Sequence, residues 1–196
     1  MLRSIAINVA MVVLLALFVL SNIKAYDTTG NIGYVLVAIN MGLYVGLYAI
    51  RERAEASSSS PLDWGVAFSA AFIGTLLRPA TPLNIGIGDT LIGIGIATNI
   101  VSVLFLNRSL SLVPGIRTIK MAGPYRLLRH PMYSSEIVVM IGYLLVNLSV
   151  INTAIVLSNI VLMLVRIDRE ELFLSRNAGY RAYATKTRWK LLPFVY

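Results

Sequence analysis

The run Ile137–Val165, IVVMIGYLLVNLSVINTAIVLSNIVLMLV, decides how this chain folds. It contains no charged residue. About 20 apolar residues cross the hydrocarbon core of a bilayer at about 1.5 Å per residue. The run is therefore long for one span and short for two ordinary ones. Asn147, Ser149 and Asn152 break its middle. A bent helical hairpin that enters the membrane and returns fits this pattern best; a single long tilted helix is the alternative.

Toward the N-terminus the same character continues. Four apolar runs, Ile5–Ile23, Ile32–Ile50, Leu62–Leu77 and Ile85–Leu106, are separated by short polar breaks. The chain is 57% hydrophobic and only 13% charged, where a soluble domain carries about a quarter charged residues. The expectation is an all-α polytopic integral membrane protein, with about four transmembrane helices followed by the membrane hairpin. The first run follows Arg3 and has the outline of a signal peptide. It lacks a good small-residue cleavage pattern around Ser21–Ala25, and more spans follow it, so it reads as the first helix. The fourth run is rich in glycine: Gly86, Gly88, Gly93 and Gly95. In a membrane helix such residues let neighbouring backbones approach. They do not form a dinucleotide fingerprint, because Leu91 and Thr98 stand where its third glycine belongs. Asp89, near the outer end of this run, is read as structural or interfacial, with a functional intramembrane carboxylate as the other possibility.

The charge balance sets an orientation. With the N-terminus inside, every Lys and Arg of the 17 except Lys24 and Arg78 falls on the inner side. The positive-inside rule then places both termini and segments 107–134 and 166–196 in the cytosol, in the inner or plasma membrane. The net charge of +8 suits anionic lipid headgroups. It argues against nucleic acid, because the basic residues abut apolar spans and form no separate domain. The chain has no cysteine and one histidine, His130. That excludes disulfides, thiolate metal sites, cysteine nucleophiles and cysteine-ligated iron–sulfur clusters, and no metal is expected.

Two inner segments hold the unusual residues. The first reads Gly123-Pro124-Tyr125-Arg126-Leu127-Leu128-Arg129-His130-Pro131-Met132-Tyr133. Pro131 suits the first position of a helix, where its missing N–H is not needed. The loop delivers Tyr125, His130 and Tyr133 to the mouth of the hairpin; an interfacial anchor of Tyr and Arg is an equally open reading. The second reads Arg166-Ile167-Asp168-Arg169-Glu170-Glu171. Arg166 and Glu170 share a helix face, four residues apart, and Glu171 points about 100° away. These residues form either a solvated helix start with an ion pair worth a few tenths of a kcal/mol, or part of a site. A hairpin brings its two ends together, which favours a site.

The pattern GPYRLLRHPMY, a hydrophobic hairpin, RxxxEE, then Gly179-Tyr180-x-x-Tyr183 and Trp189-x-x-x-Pro193 resembles the isoprenylcysteine carboxyl methyltransferase family and the related phospholipid methyltransferases. The similarity covers Asn107 to Pro193 and looks like a small prokaryotic-type member. It implies a division into N-terminal transmembrane helices over 1–106 and a methyltransferase region over 107–196. It also implies a cytosolic pocket for S-adenosyl-L-methionine, and a lipophilic acceptor that enters from the bilayer. On this resemblance the cofactor-binding residues are Arg117, Thr118, Ile119, Lys120, Tyr125, His130, Pro131, Met132, Tyr133 and Glu170. Glu170 binds the methionine ammonium and Arg166 faces the acceptor; these two are the catalytic residues. The chain departs from the pattern at Ser135, where many relatives have glycine, and at Leu110, where eukaryotic members have glutamine.

The acceptor that the resemblance implies is the carboxylate of an isoprenylcysteine-like molecule, or another lipid or small hydrophobic compound. A carboxylate needs no general base; a phenol, thiol or amine needs one, and His130 and Glu170 are the nearby candidates. Two other classes stay open. One is an NADPH-dependent membrane sterol or enone reductase, for which few basic residues remain to hold a 2′-phosphate. The other is a non-enzymatic scaffold or transporter subunit, for which the paired halves of a transporter are missing.

Overall fold

The computed structural model describes residues 2–30, 32–80 and 86–196; Ile85, the expected start of the fourth run, lies outside them. The order is α1 (Leu2–Thr29), α2 (Ile32–Ile50), β1 (Ala56–Ser57), α3 (Pro61–Phe72), α4 (Gly86–Leu106), β2 (Gly115–Ile116), α5 (Pro131–Val146), α6 (Val150–Leu174) and α7 (Ala178–Lys186). The architecture is all-α, apart from the two-residue antiparallel ladder of β1 and β2. Among the described residues four helices are long and apolar enough to cross a membrane, spanning Val9–Thr28, Gly33–Ile50, Gly86–Ser109 and Val150–Leu174.

One span differs from the sequence expectation. Leu62–Leu77 is not one long helix: α3 stops at Phe72, and Ile73–Leu76 tightens into a 3₁₀ turn. Prolines bound the segment. Pro61 opens α3 at its first turn, and Pro79 disfavours helical backbone just before it; Leu77 is already extended.

The expected hairpin forms, as α5 and α6, and its arms reach beyond 137–165 at both ends. Its polar residues explain the bend. Ser149 caps α6 by accepting from Asn152 N at 3.2 Å. Asn152, fully buried, donates to Asn147 O at 2.7 Å and to Arg78 O at 2.9 Å, and accepts from Arg78 N at 3.1 Å. Asn147 accepts from Ala80 N at 3.1 Å. The side chains of the turn thus satisfy backbone groups of the segment Arg78–Ala80 that follows α3 and its 3₁₀ turn, as apolar surroundings require.

The glycines of α4 set how closely α5 lies. A Cβ added at Gly95 would stand 2.6 Å from Val139 Cγ2 and 3.0 Å from Ser135 O. Helices in lipid gain little from hydrophobic transfer and associate through such close packing. Asn99, one turn further along α4, donates to Ser135 Oγ at 2.9 Å and accepts from Tyr44 OH of α2 at 3.0 Å. Asp89 is exposed in the first turn of α4, where a carboxylate complements the helix dipole.

The ends of α2, α4 and α6 and the starts of α3 and α5 gather at one end of the bundle. There Glu52 N donates to Arg108 O at 2.8 Å, and Arg169 pairs with Asp63 at 2.6 Å.

Candidate functional site

The site begins with Glu171, whose carboxylate joins three elements. Arg129 Nη1 donates to it at 2.6 Å, His130 Nε2 lies 2.8 Å away, and Tyr180 OH donates at 2.7 Å. Arg129 and His130 belong to the loop before α5, and Tyr180 to α7. The loop is fastened again by the C-terminal tail: Arg129 N donates to Trp189 O at 2.9 Å and His130 N to Lys190 O at 3.0 Å. Tyr183 OH donates to Tyr125 O at 2.8 Å. Burial pushes the Tyr183 phenol up to about 12. Burial, with the Glu171 charge beside it, pushes Tyr180 higher still.

Beside this bracket sits a second group. Tyr133 stacks on His130, rings 5.5 Å apart, and its OH donates to Glu170 Oε2 at 2.7 Å. The Arg166 guanidinium lies 4.9 Å from the Tyr133 ring centre, within cation–π range. Arg166 is only 7% exposed and donates from Nη2 to Leu112 O at 2.8 Å, while its Nε has no partner. The i,i+4 ion pair open to the sequence gives way to this arrangement. Arg166 turns to Leu112 O and the Tyr133 ring, and Tyr133 carries the hydrogen bond to Glu170.

Arg117 follows β2 and donates from Nε to Glu52 O at 3.1 Å. Its Nη1 is buried without a partner. Burial, and then the neighbouring Arg51 charge, hold its guanidinium below the ordinary range, while Glu170 acts in the opposite direction. Arg117 and Glu170 therefore lie near enough to feel each other's charge, and each keeps unused hydrogen-bonding capacity. A zwitterionic amino-acid end, with one carboxylate and one ammonium, fits such a pair.

The other residues singled out by sequence divide into two groups. Thr118 is exposed and donates to Glu52 Oε2 at 2.8 Å, so it fastens the strap 115–120 to the loop after α2. Ile119 lies beside Gly179, and Lys120 is half-buried next to it. Tyr125 is buried beneath α7, and Pro131 is buried at the start of α5. Met132 packs against the cluster of Tyr48, Leu110 and Leu112. His130 is 6% exposed, with Nε2 engaged by Glu171, so its contact in this structure is a structural one.

Four residues at the site were missed by the sequence reading. Glu171, which helical spacing points about 100° from the Arg166–Glu170 face, binds the loop and α7. Tyr48 and Arg51, at the end of α2, lie outside the quoted motifs; the Arg51 guanidinium sits 4.9 Å from the Tyr48 ring centre. Glu136 lies one position before the apolar run and reads in the sequence as its boundary. A carboxylate inside an apolar helix was a usable signal.

The phospholipid methyltransferase family model matches residues 83–181, half of the chain, from α4 into α7. No curated protein matches.

Proposed function

The chain belongs to the phospholipid methyltransferase family of membrane methyltransferases, and from that premise we propose that it moves a methyl group from S-adenosyl-L-methionine to a lipophilic acceptor arriving from the bilayer. The observation that carries this reading is the pair of Glu170 and Arg117, near enough for one charge to act on the other and each with unfilled hydrogen-bonding capacity. When bound, the cofactor supplies an electrophilic methyl on a sulfonium. Glu170 pairs with its ammonium and Arg117 with its carboxylate, as charge-assisted hydrogen bonds. Tyr133 holds Glu170 in place and offers a ring face. Tyr125, His130, Pro131 and Met132 frame the pocket, and Thr118, Ile119 and Lys120 carry the strap over it. Arg166, deeper along α6, orients the acceptor.

Burial excludes water, and transfer from a cation to an electron-rich acceptor spreads charge, so a dry site favours the reaction. Aligning acceptor, methyl and sulfur supplies much of the remaining acceleration. The pocket and both termini face the cytosol of the inner or plasma membrane, next to the anionic headgroups that the basic residues favour.

Calorimetry on the detergent-purified protein tests this reading. S-adenosylmethionine and S-adenosylhomocysteine should both bind, and Glu170→Gln should weaken both by about tenfold or more. Binding of NADPH with no response to either ligand would overturn it.

A further inference from the structure

Glu136 has no role in the site as described so far. It lies one turn along α5 from Tyr133, on the same face, and is partly buried. Among the described residues its carboxylate accepts no hydrogen bond. Three helices present groups to it: Tyr44 from α2, Tyr133 from α5 itself and Arg166 from α6, whose charge acts on it. The neighbouring α4 carries one charged residue, Asp89, at its opposite end. A carboxylate at this depth is costly and marks a functional position. The Arg166 guanidinium, 4.9 Å from the ring centre of Tyr133 one turn away, lies near enough for its charge to act on Glu136, and its Nε is a buried donor with no partner.

The two unfilled groups are complementary, and together they select a ligand. A group that satisfies both must accept from Arg166 Nε and donate to Glu136. A carboxylate has no proton to give and is repelled by Glu136. An ammonium has no lone pair and is repelled by Arg166. A neutral amine that accepts from Nε uses the one lone pair that a new bond to carbon requires. A hydroxyl has a proton and two lone pairs, so it fills both groups and stays nucleophilic, whereas a thiol is only a weak donor and a weak acceptor and leaves both poorly satisfied. Acidity narrows the class again. A carboxylate can take the proton of a phenol, with an ordinary pKa of about 10, far more readily than that of a water-like hydroxyl, about 16.

Resting on the methyl-transfer reading above, we infer that the acceptor is a lipophilic phenol whose hydroxyl lies between Arg166 and Glu136, and that Glu136 takes its proton. The phenol O–H bond breaks and the proton passes to the Glu136 carboxylate. A lone pair of that oxygen forms the new O–CH₃ bond, and the methyl–sulfur bond breaks with its pair on sulfur. Glu136 returns the proton to water when the methyl ether leaves.

The test uses purified full-length protein and three probes of similar lipophilicity: nonylphenol, dodecanoate and dodecylamine. Calorimetry without cofactor should show nonylphenol binding, weakened about tenfold in Glu136→Gln. S-adenosylhomocysteine affinity should be unchanged in that variant, which also reports that it is folded. With labelled S-adenosylmethionine, nonylphenol should be methylated in preference to the other probes. Glu136→Gln should lose about 100-fold at neutral pH, the usual scale for a positioned base. The deficit should shrink toward roughly pH 10, where the phenol ionises by itself, a profile that a merely structural role does not give. Preferred methylation of dodecanoate or dodecylamine, or a Glu136→Gln variant with wild-type rate and profile, overturns the inference. Wild-type protein that binds S-adenosylhomocysteine but neither binds nor methylates nonylphenol removes this inference alone. Failure to bind S-adenosylhomocysteine removes the methyl-transfer reading and this inference with it.

Discussion

Glu170 and Glu171 are adjacent in sequence, and the structure assigns them opposite consequences. Glu171→Ala removes the acceptor shared by Arg129, His130 and Tyr180. The side chains of Arg129 and Glu171 are only 13% and 16% exposed, and that of His130 6%, so water replaces the lost carboxylate poorly. A hydrogen bond to a charged group contributes about 1.5–3 kcal/mol. Three around one carboxylate are not additive, and removing one partner of a buried pair costs about 3–5 kcal/mol. For a chain of this length each kcal/mol moves the melting temperature by about 2–4 °C, so the expected fall is roughly 6–20 °C. Glu171→Gln keeps one acceptor oxygen and should fall between. Glu170→Gln still accepts from Tyr133, so its stability should change by under about 1 kcal/mol, while cofactor affinity drops. Thermal unfolding in detergent, followed by tryptophan fluorescence or thiol-free light scattering, is run beside calorimetry with S-adenosylhomocysteine. If Glu170→Gln melts as early as Glu171→Ala, or if Glu171→Ala melts like the wild type, the division of labour is wrong.

Three further outcomes are expected. Arg166→Ala should lose most turnover yet keep much of its cofactor affinity, and Arg166→Lys should rescue it poorly, because a lysine cannot reproduce a planar guanidinium that meets Leu112 O and the Tyr133 ring together; near-silent substitution in a turnover assay would show a snorkelling role instead. Gly95→Leu should separate α4 from α5 and destabilise by about 1–3 kcal/mol or more, the scale of overpacking, whereas Gly93→Leu, with open space at its Cβ, should melt close to wild type. Single cysteines placed at Asp27 and Tyr196 should react oppositely with an impermeant thiol reagent in intact cells, with only position 27 labelled, since the natural chain has no cysteine; external labelling at 196 would invert the orientation.

Much of the fold was legible because membrane solvation is a strong, local constraint. A stretch such as Ile32–Ile50 has to be a helix wherever it sits in lipid, since no other form satisfies its backbone alone. The interruption at Asn147–Asn152 was legible for the same reason, though not its partner at Arg78–Ala80, which lies far away in sequence. The third run misled because apolar composition measures length of hydrophobicity, whereas Pro61 and Pro79 fix how much of it is helical. At the site, helical spacing correctly put Arg166 and Glu170 on one face, but spacing alone does not say which pairs touch, and Tyr133 takes the hydrogen bond to Glu170.

The sequence by itself therefore determined the class of solvent, the helical architecture, the interruption at Asn147–Asn152 and the motifs that mark the family. These follow from composition, period and short-range backbone chemistry, all of which act within a few residues. Only the tertiary structure decided that the interruption is the turn of a hairpin, that Glu171 is the bracket and Glu170 the carboxylate with capacity to spare, that α2 brings Tyr44, Tyr48 and Arg51 to the site, and that the Arg166 charge reaches Glu136. Those facts depend on which helices meet and at what rotation, which is settled by contacts between residues distant along the chain, such as Gly95 of α4 against Ser135 and Val139 of α5.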